Sequence, residues 1–226
     1  MSRAFSILLS RRPLAVLVTV PALVAMAAGV ISTNANAAAT VPFSIGATLV
    51  PASCDVLLSQ DTLDFGEIPA SSLSEIAATK LPARDVTVTV SCKGVAASVG
   101  LAMTDNRQGS ESRDTGNPTL FGVGMYKNKA VGNFSLATRN AVADGVSADP
   151  IARVGAGGWN RLSGDLSGAS DFQLSWAQRG TTAPGTYMTM QQTFAVTLEI
   201  AAKNSLPSLS EGVPIDGSMT FSVVYL

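Results

Sequence analysis

Cys54 and Cys92 are the only cysteines in 226 residues, and the chain contains no histidine. Two thiolates without an imidazole make a poor zinc set, and a cysteine nucleophile would lack its usual base. In an oxidising compartment the pair has one intramolecular option, a disulfide closing a loop of about 39 residues. Loop entropy values such a bridge at about 4 kcal/mol, less any native strain. The disulfide is the expected state.

Acid–base work would fall to carboxylates such as Asp105, Asp114, Asp144, Asp149, Asp165 and Asp171. These sit in Gly/Ser-rich stretches, where solvated turn residues are the usual explanation. No G-x-S-x-G, P-loop or dinucleotide fingerprint is present, so neither an enzyme nor a cofactor is expected. Asp144 and Asp149 could help hold calcium, yet their spacing matches no calcium loop, and no metal is expected. Trp159 and Trp176 could contact sugar, although core packing is the commoner role for so few aromatics. Asn133-Phe134-Ser135 fits a glycosylation sequon but falls in an expected strand, where chance is the simpler explanation.

The start of the chain suggests where these groups work. Residues 1–12 carry Arg3, Arg11 and Arg12 and no acid, and Leu14 to Ile31 is almost wholly apolar. Ala35-Asn36-Ala37 before Ala38 then offers a small-x-small cleavage site, so 1–37 reads as a secretory signal peptide. The apolar run approaches a membrane span in length, but Pro21, Gly29 and the Ala-x-Ala favour cleavage over an anchor. Cleavage would remove three of 15 basic residues and none of the 16 acidic ones, leaving a net charge of about −4. That balance argues against nucleic acid and anionic membranes as partners. The remaining length suits one core, with no evident linker or repeat.

The elements that would position these residues are strands. Val41 to Val50 alternates except at Gly46-Ala47, where a bulge or close backbone approach is expected. Leu63-Asp64-Phe65-Gly66 reads as a short strand closing in a turn, and 66–85 as loop with a weak strand at best. Val86 to Cys92 is the cleanest alternation, placing Val86, Val88, Val90 and Cys92 on one inward face. Val95 to Met103 is a further strand, and the polar stretch to Pro118 reads as a surface loop. Leu120–Tyr126 and Val131–Ala137 look like a hairpin turning at Lys127-Asn128-Lys129. Residues 138–170 read poorly, with a strand around Ile151–Val154 and Trp159 as a candidate core plug. Phe172–Trp176 and Tyr187–Ala201 are strands, the second by its β-branched content and alternation. In the last stretch, Met219, Phe221, Val223 and Tyr225 alternate with Thr220, Ser222 and Val224. That strand could be an open sheet edge or be tied into its own sheet. Many short strands with Gly/Pro turns imply an all-β antiparallel sandwich.

Several segments then form a familiar series. They are Gly46 to Cys54, Asp64-Phe65-Gly66-Glu67-Ile68, Val86 to Cys92, and a C-terminal strand with tyrosine next to last. Together with the leader, they resemble the chaperone–usher fimbrial (pilin-like) subunits of Gram-negative bacteria. The chain is most similar to a poorly characterised branch sharing segments like Asp105-Asn106-Arg107-Gln108-Gly109-Ser110, Phe121-Gly122-Val123-Gly124 and Asp216-Gly217 to Tyr225-Leu226.

The resemblance implies an immunoglobulin-like sandwich that lacks its last strand. A periplasmic pilus chaperone would fill the gap during export, an outer-membrane usher would follow, and the arm of a neighbouring subunit would replace the chaperone at the cell surface. Residues 38–53 would then be the arm and 54–226 the sandwich. Val41, Phe43, Ile45, Gly46 and Leu49 would plug the groove, although Gly46 is one residue out of phase with Leu49. Met219, Phe221, Val223 and Tyr225 would wall the groove, and the Leu226 carboxylate would anchor the chaperone. The expected function is a structural or minor fimbrial subunit supporting adhesion. The alternative is a single-domain tip adhesin or secreted binding module, using loops 104–118 and 138–170 on a host or surface ligand.

Overall fold

Alternating apolar and polar residues become strands throughout the described part of the chain. The first are β1 (Ser53–Leu58), β2 (Thr79–Lys80), β3 (Arg84–Lys93), β4 (Val99–Asp105), β5 (Phe121–Gly122), β6 (Met125–Tyr126) and β7 (Lys129–Ala130). They are followed by β8 (Gly132–Ala143), β9 (Val146–Val154), β10 (Asn160–Arg161), β11 (Phe172–Gln178), β12 (Thr189–Ile200) and β13 (Met219–Tyr225). This computed structural model describes residues 53–113, 117–169 and 171–226, all within one compact unit. The expected leader and arm strand lie outside the described residues.

The strands follow one path, β1-β3-β12-β8-β9-β11-β4-β13, and every neighbouring pair is antiparallel. The path folds over where β8 meets β9 only at its end, through Val142↔Ser147 and Ala143↔Val146. One layer is therefore β1-β3-β12-β8 and the other β9-β11-β4-β13, an antiparallel sandwich with β1 and β13 as its two edges.

Inward residues of both layers make the core. In β3, Val86, Val88, Val90 and Cys92 are all buried, as their parity predicts. They join Leu101, Met103, Leu136, Leu174, Trp176 and Phe194 in one cluster. Trp176 is fully buried, and its indole N–H donates to the Gln191 carbonyl at 3.0 Å, so its one polar atom is satisfied. A smaller cluster of Val123, Val131, Leu198, Ile200 and Leu206 extends the core beneath one end.

Turn chemistry accounts for the hairpins. Lys127 (φ 48°) and Asn128 (φ 62°) are both left-handed between β6 and β7, and Asp144 (φ 47°) with Gly145 (φ 78°) repeats the arrangement between β8 and β9. Two successive left-handed residues match the right-handed twist of the flanking strands. Asp144 Oδ1 also accepts from the Met188 and Thr189 N–H groups, which ties this turn to the start of β12.

The structure corrects four expectations. Leu63–Gly66 is not a strand: Asp64 and Gly66 close a turn (Gly66 N to Asp64 Oδ1, 2.8 Å), but 60–69 have no ladder partner among the described residues because the chain leaves β3 at Ser59. Residues 138–143 and 146–154 belong to long strands rather than a loop. The stretch 104–118 is not simply a surface loop, since Ser110 and Glu111 are buried. Trp159 is only half-buried and does not plug the core.

The Cys54–Cys92 disulfide lies across the paired positions Cys54↔Cys92, closing 38 residues between β1 and β3. Cys92→Ser should cost roughly 2–4 kcal/mol of stability. An unfolding midpoint equal to that of the unsubstituted chain would contradict this.

Candidate functional site

The two edge strands meet at one end and part at the other. Where they meet, the Cys54 N–H donates to the Tyr225 hydroxyl at 2.9 Å. Beyond Leu58, residues 60–69 have no ladder partner among the described residues, and among those residues β13 pairs with β4 alone. Between them opens a cleft of about 1200 Å³. Val86, Phe134, Leu136, Val196 and Leu198 line it, with Leu63, Phe65 and Ile68 from one edge and Val213, Ile215, Met219 and Phe221 from the other. Asp61, Asp64, Glu67 and Asp216 also line it and add acidic groups. An apolar slot between two sheet edges suits an extended segment, which can offer ladder hydrogen bonds and alternate side chains together.

The residues expected to wall the groove divide along β13. Met219 and Phe221 line the cleft, and Phe221 stacks on Phe194 with ring centroids 6.0 Å apart. Val223 packs against the main core. Tyr225 is half-exposed and closes the narrow end through its hydroxyl. The Leu226 side chain comes within 3.4 Å of the position a β-carbon on Gly100 would take. Val41, Phe43, Ile45, Gly46 and Leu49 lie outside the described residues.

Three segments far apart in sequence converge to position the open end of β13. Asp105 accepts from the N–H groups of Arg107 (2.7 Å) and Gly122 (2.8 Å). The Ser110 hydroxyl donates to the Arg107 carbonyl and accepts from the Gly124 N–H. Arg107 pairs with the Asp216 carboxylate, the Asp216 N–H donates to the Val123 carbonyl, and Asn106 donates to Ser218 and Thr220. Gly122 is required at the centre: a β-carbon there would lie 2.1 Å from the Arg107 carbonyl oxygen and 2.2 Å from the Ser110 hydroxyl. These are the segments 105–110, 121–124 and 216–217 that carried part of the family resemblance. Periodicity could not reveal the knot, because its bonds run between loops rather than along strands.

A buried ion pair beside this knot was not anticipated. Glu199 in β12 is 3% exposed and is met by Arg113, with Lys80 at 3.7 Å. An acid buried within a β-branched strand is the signal that could have revealed it, because such a charge needs a partner. At the other end of the molecule, Asp55 holds the exposed Lys93 ammonium above its ordinary value through a hydrogen bond and its charge. That link between β1 and β3 is present below about pH 10 and is lost as pH rises through the raised Lys93 value.

The acidic residues that could have done chemistry are dispersed. Asp105 serves the knot, Asp144 the turn before β9, and Asp149 pairs with Arg161 at 2.7 Å while accepting from the Gly180 N–H. Asp114 lies outside the described residues. No cluster of metal-ligating side chains occurs among the described residues. Asn133 of the sequon is 2% exposed and accepts from the Ser112 hydroxyl, so it is inaccessible to a glycan in the folded state.

A family profile described as protein of unknown function (DUF1120) matches residues 43–156, half of the chain. The chain belongs to that family. The match covers two of the three segments of the knot and ends before the strand they hold. No curated protein matches the chain.

Gly122→Ala should cost about 1–3 kcal/mol by forcing the Arg107 turn away. Limited proteolysis should then cut near 212–219 before the rest of the domain. Equal stability and an unchanged cleavage pattern would show that the knot does not hold β13.

Proposed function

We propose that this chain is a subunit of a surface fibre of the chaperone–usher kind, in which a strand from another chain completes the sandwich. The observation that carries this reading is the cleft between residues 60–69 and β13, with its apolar lining and with edges that have no partner among the described residues. A strand inserted there would find backbone partners on both sides and apolar contacts beneath alternate residues. The incoming strand would come first from a periplasmic chaperone and then from the arm of a neighbouring subunit, with an outer-membrane usher between the two steps. The protein would thus work by binding and assembly at the cell surface rather than by catalysis.

The resemblance in 46–54, 64–68 and 216–226 supports the same reading, as does the disulfide that fixes β1 beside β3. Buried apolar surface is worth about 25 cal/mol per Å², so an apolar cleft between two sheet edges favours binding of a strand.

Periplasmic expression with and without a pilus chaperone tests this, followed by size-exclusion chromatography and mass spectrometry. A 1:1 complex with the chaperone, and aggregated or degraded protein without it, is the expected result. Ile215→Asp should lower chaperone co-purification while leaving the fold intact, because Ile215 is 37% exposed on the cleft wall and a charge there must be desolvated by an incoming strand. A chaperone-independent, cooperative monomer would overturn the proposal.

A further inference from the structure

Away from the cleft, one guanidinium is held in place by neutral groups. Arg153 of β9 stands opposite Gln173 of β11, and its neighbour Ala152 packs in the core, so Arg153 and Gln173 share the outer face of the sheet. The Arg153 Nε–H and one Nη2–H both donate to Gln173 Oε1, at 2.9 and 2.7 Å. Its guanidinium carbon lies over the Trp159 ring, 4.6 Å from the centroid. Among the described residues Arg153 makes no ion pair. The Nη1–Nη2 edge of the fork keeps its donors free, which is the edge that grips a carboxylate with two parallel hydrogen bonds.

The surroundings are rigid. The hairpin carrying Trp159 is pinned by Asn160↔Ala152 and Arg161↔Ile151, by the Leu162 N–H on the Pro150 carbonyl, and by the Arg161–Asp149 ion pair. That ion pair also cancels the nearest acid on β9. Asp171 approaches the hairpin at Gly155 and does not pair with Arg153. Beside Arg153 lies a depression of about 300 Å³, lined by Ala152, Val154, Gly157, Gly158, Asn160 and Phe172, while Trp159 and Gln173 hold the guanidinium and do not line it. That volume is at the small end of ligand pockets, the size of a single ring rather than a peptide segment.

We infer that Arg153, Trp159, Asn160 and Gln173 form a binding site for a carboxylated sugar, a uronate or sialate residue of a surface glycan. The Arg153 fork takes the carboxylate, the Trp159 indole packs on the apolar face of the ring, and the Asn160 side-chain oxygen accepts from its hydroxyls while the amide N–H stays on the Gly158 carbonyl at 3.0 Å. A guanidinium stacked on an aromatic and bonded to a neutral amide is oriented without being neutralised, so an incoming anion gains the full charge-assisted bond. This site does not depend on the cleft or on what fills it.

The test is calorimetric titration of the full chain, purified from the periplasm, with glucuronate, N-acetylneuraminate, glucose and acetate. Trp159 fluorescence serves as a second readout. At least one carboxylated sugar should saturate, more tightly than either glucose or acetate. Arg153→Gln should weaken it by roughly 10- to 100-fold, since a hydrogen bond to a charged group is lost. Gln173→Glu should weaken it comparably by neutralising the fork, and it decides the matter if Arg153→Gln fails to fold. No saturable response to either carboxylated sugar would overturn the inference. So would an equal response to acetate, or undiminished binding by both folded variants.

Discussion

Every backbone N–H and C=O in a sheet needs a partner or water, and this sandwich leaves two of its edges without one another. The strand path runs from β1 to β13 and nearly closes on itself, joined at one end by the bond from Cys54 to Tyr225. Along the rest of the seam, 60–69 and β13 face each other across an apolar cleft. Closed barrels remove their edges, and open sheets blunt them with charge, proline or a covering loop. Here the lining is Phe, Leu, Ile, Val and Met, and the acidic groups at Asp61, Asp64, Glu67 and Asp216 accompany it without filling it.

Both edges of the cleft are fixed from behind. On one side, the disulfide and the ladder with β3 hold β1, and the chain then departs at Ser59. On the other, Asp105, Arg107 and Ser110 bind Gly122, Gly124 and Asp216, which sets where β13 begins. The Gly122 backbone approaches the Arg107 carbonyl more closely than any side chain would permit. Fixing both walls lowers the ordering cost of receiving a strand, since little of the receptor must change shape. The buried Glu199–Arg113 pair sits beside this region and adds a geometric constraint more than net stability.

Much of this was legible from residue order alone. The alternation of Val86 to Cys92 placed the inward face of β3, because period 2 leaves one way to bury that set. The β6–β7 turn was readable at Lys127-Asn128-Lys129. Asp144-Gly145 was not, although it uses the same backbone geometry, because β8 and β9 carry polar residues on their outer side and read as loop. Leu63–Phe65 has the composition of a strand and lacks only a neighbour, something no local pattern encodes. Within the candidate site, Met219 and Phe221 were visible from alternation. The floor and the far wall came from β3, β8, β12 and residues 60–69 and emerged only when the sandwich closed. Trp159 was a candidate core plug, yet it lies under the half-buried Arg153 guanidinium instead.

The central claim is that, among the described residues, β13 has a ladder on one side only. Hydrogen exchange of the isolated, folded chain, read amide by amide, tests this most directly. β12 is laddered on both sides and should exchange slowly throughout. In β13, the amides facing β4 should be slow, and those facing the cleft, with residues 60–69, should exchange quickly. Uniform slow exchange across β13 and 60–69, matching β12, would contradict the account and mean that the chain already fills its own cleft.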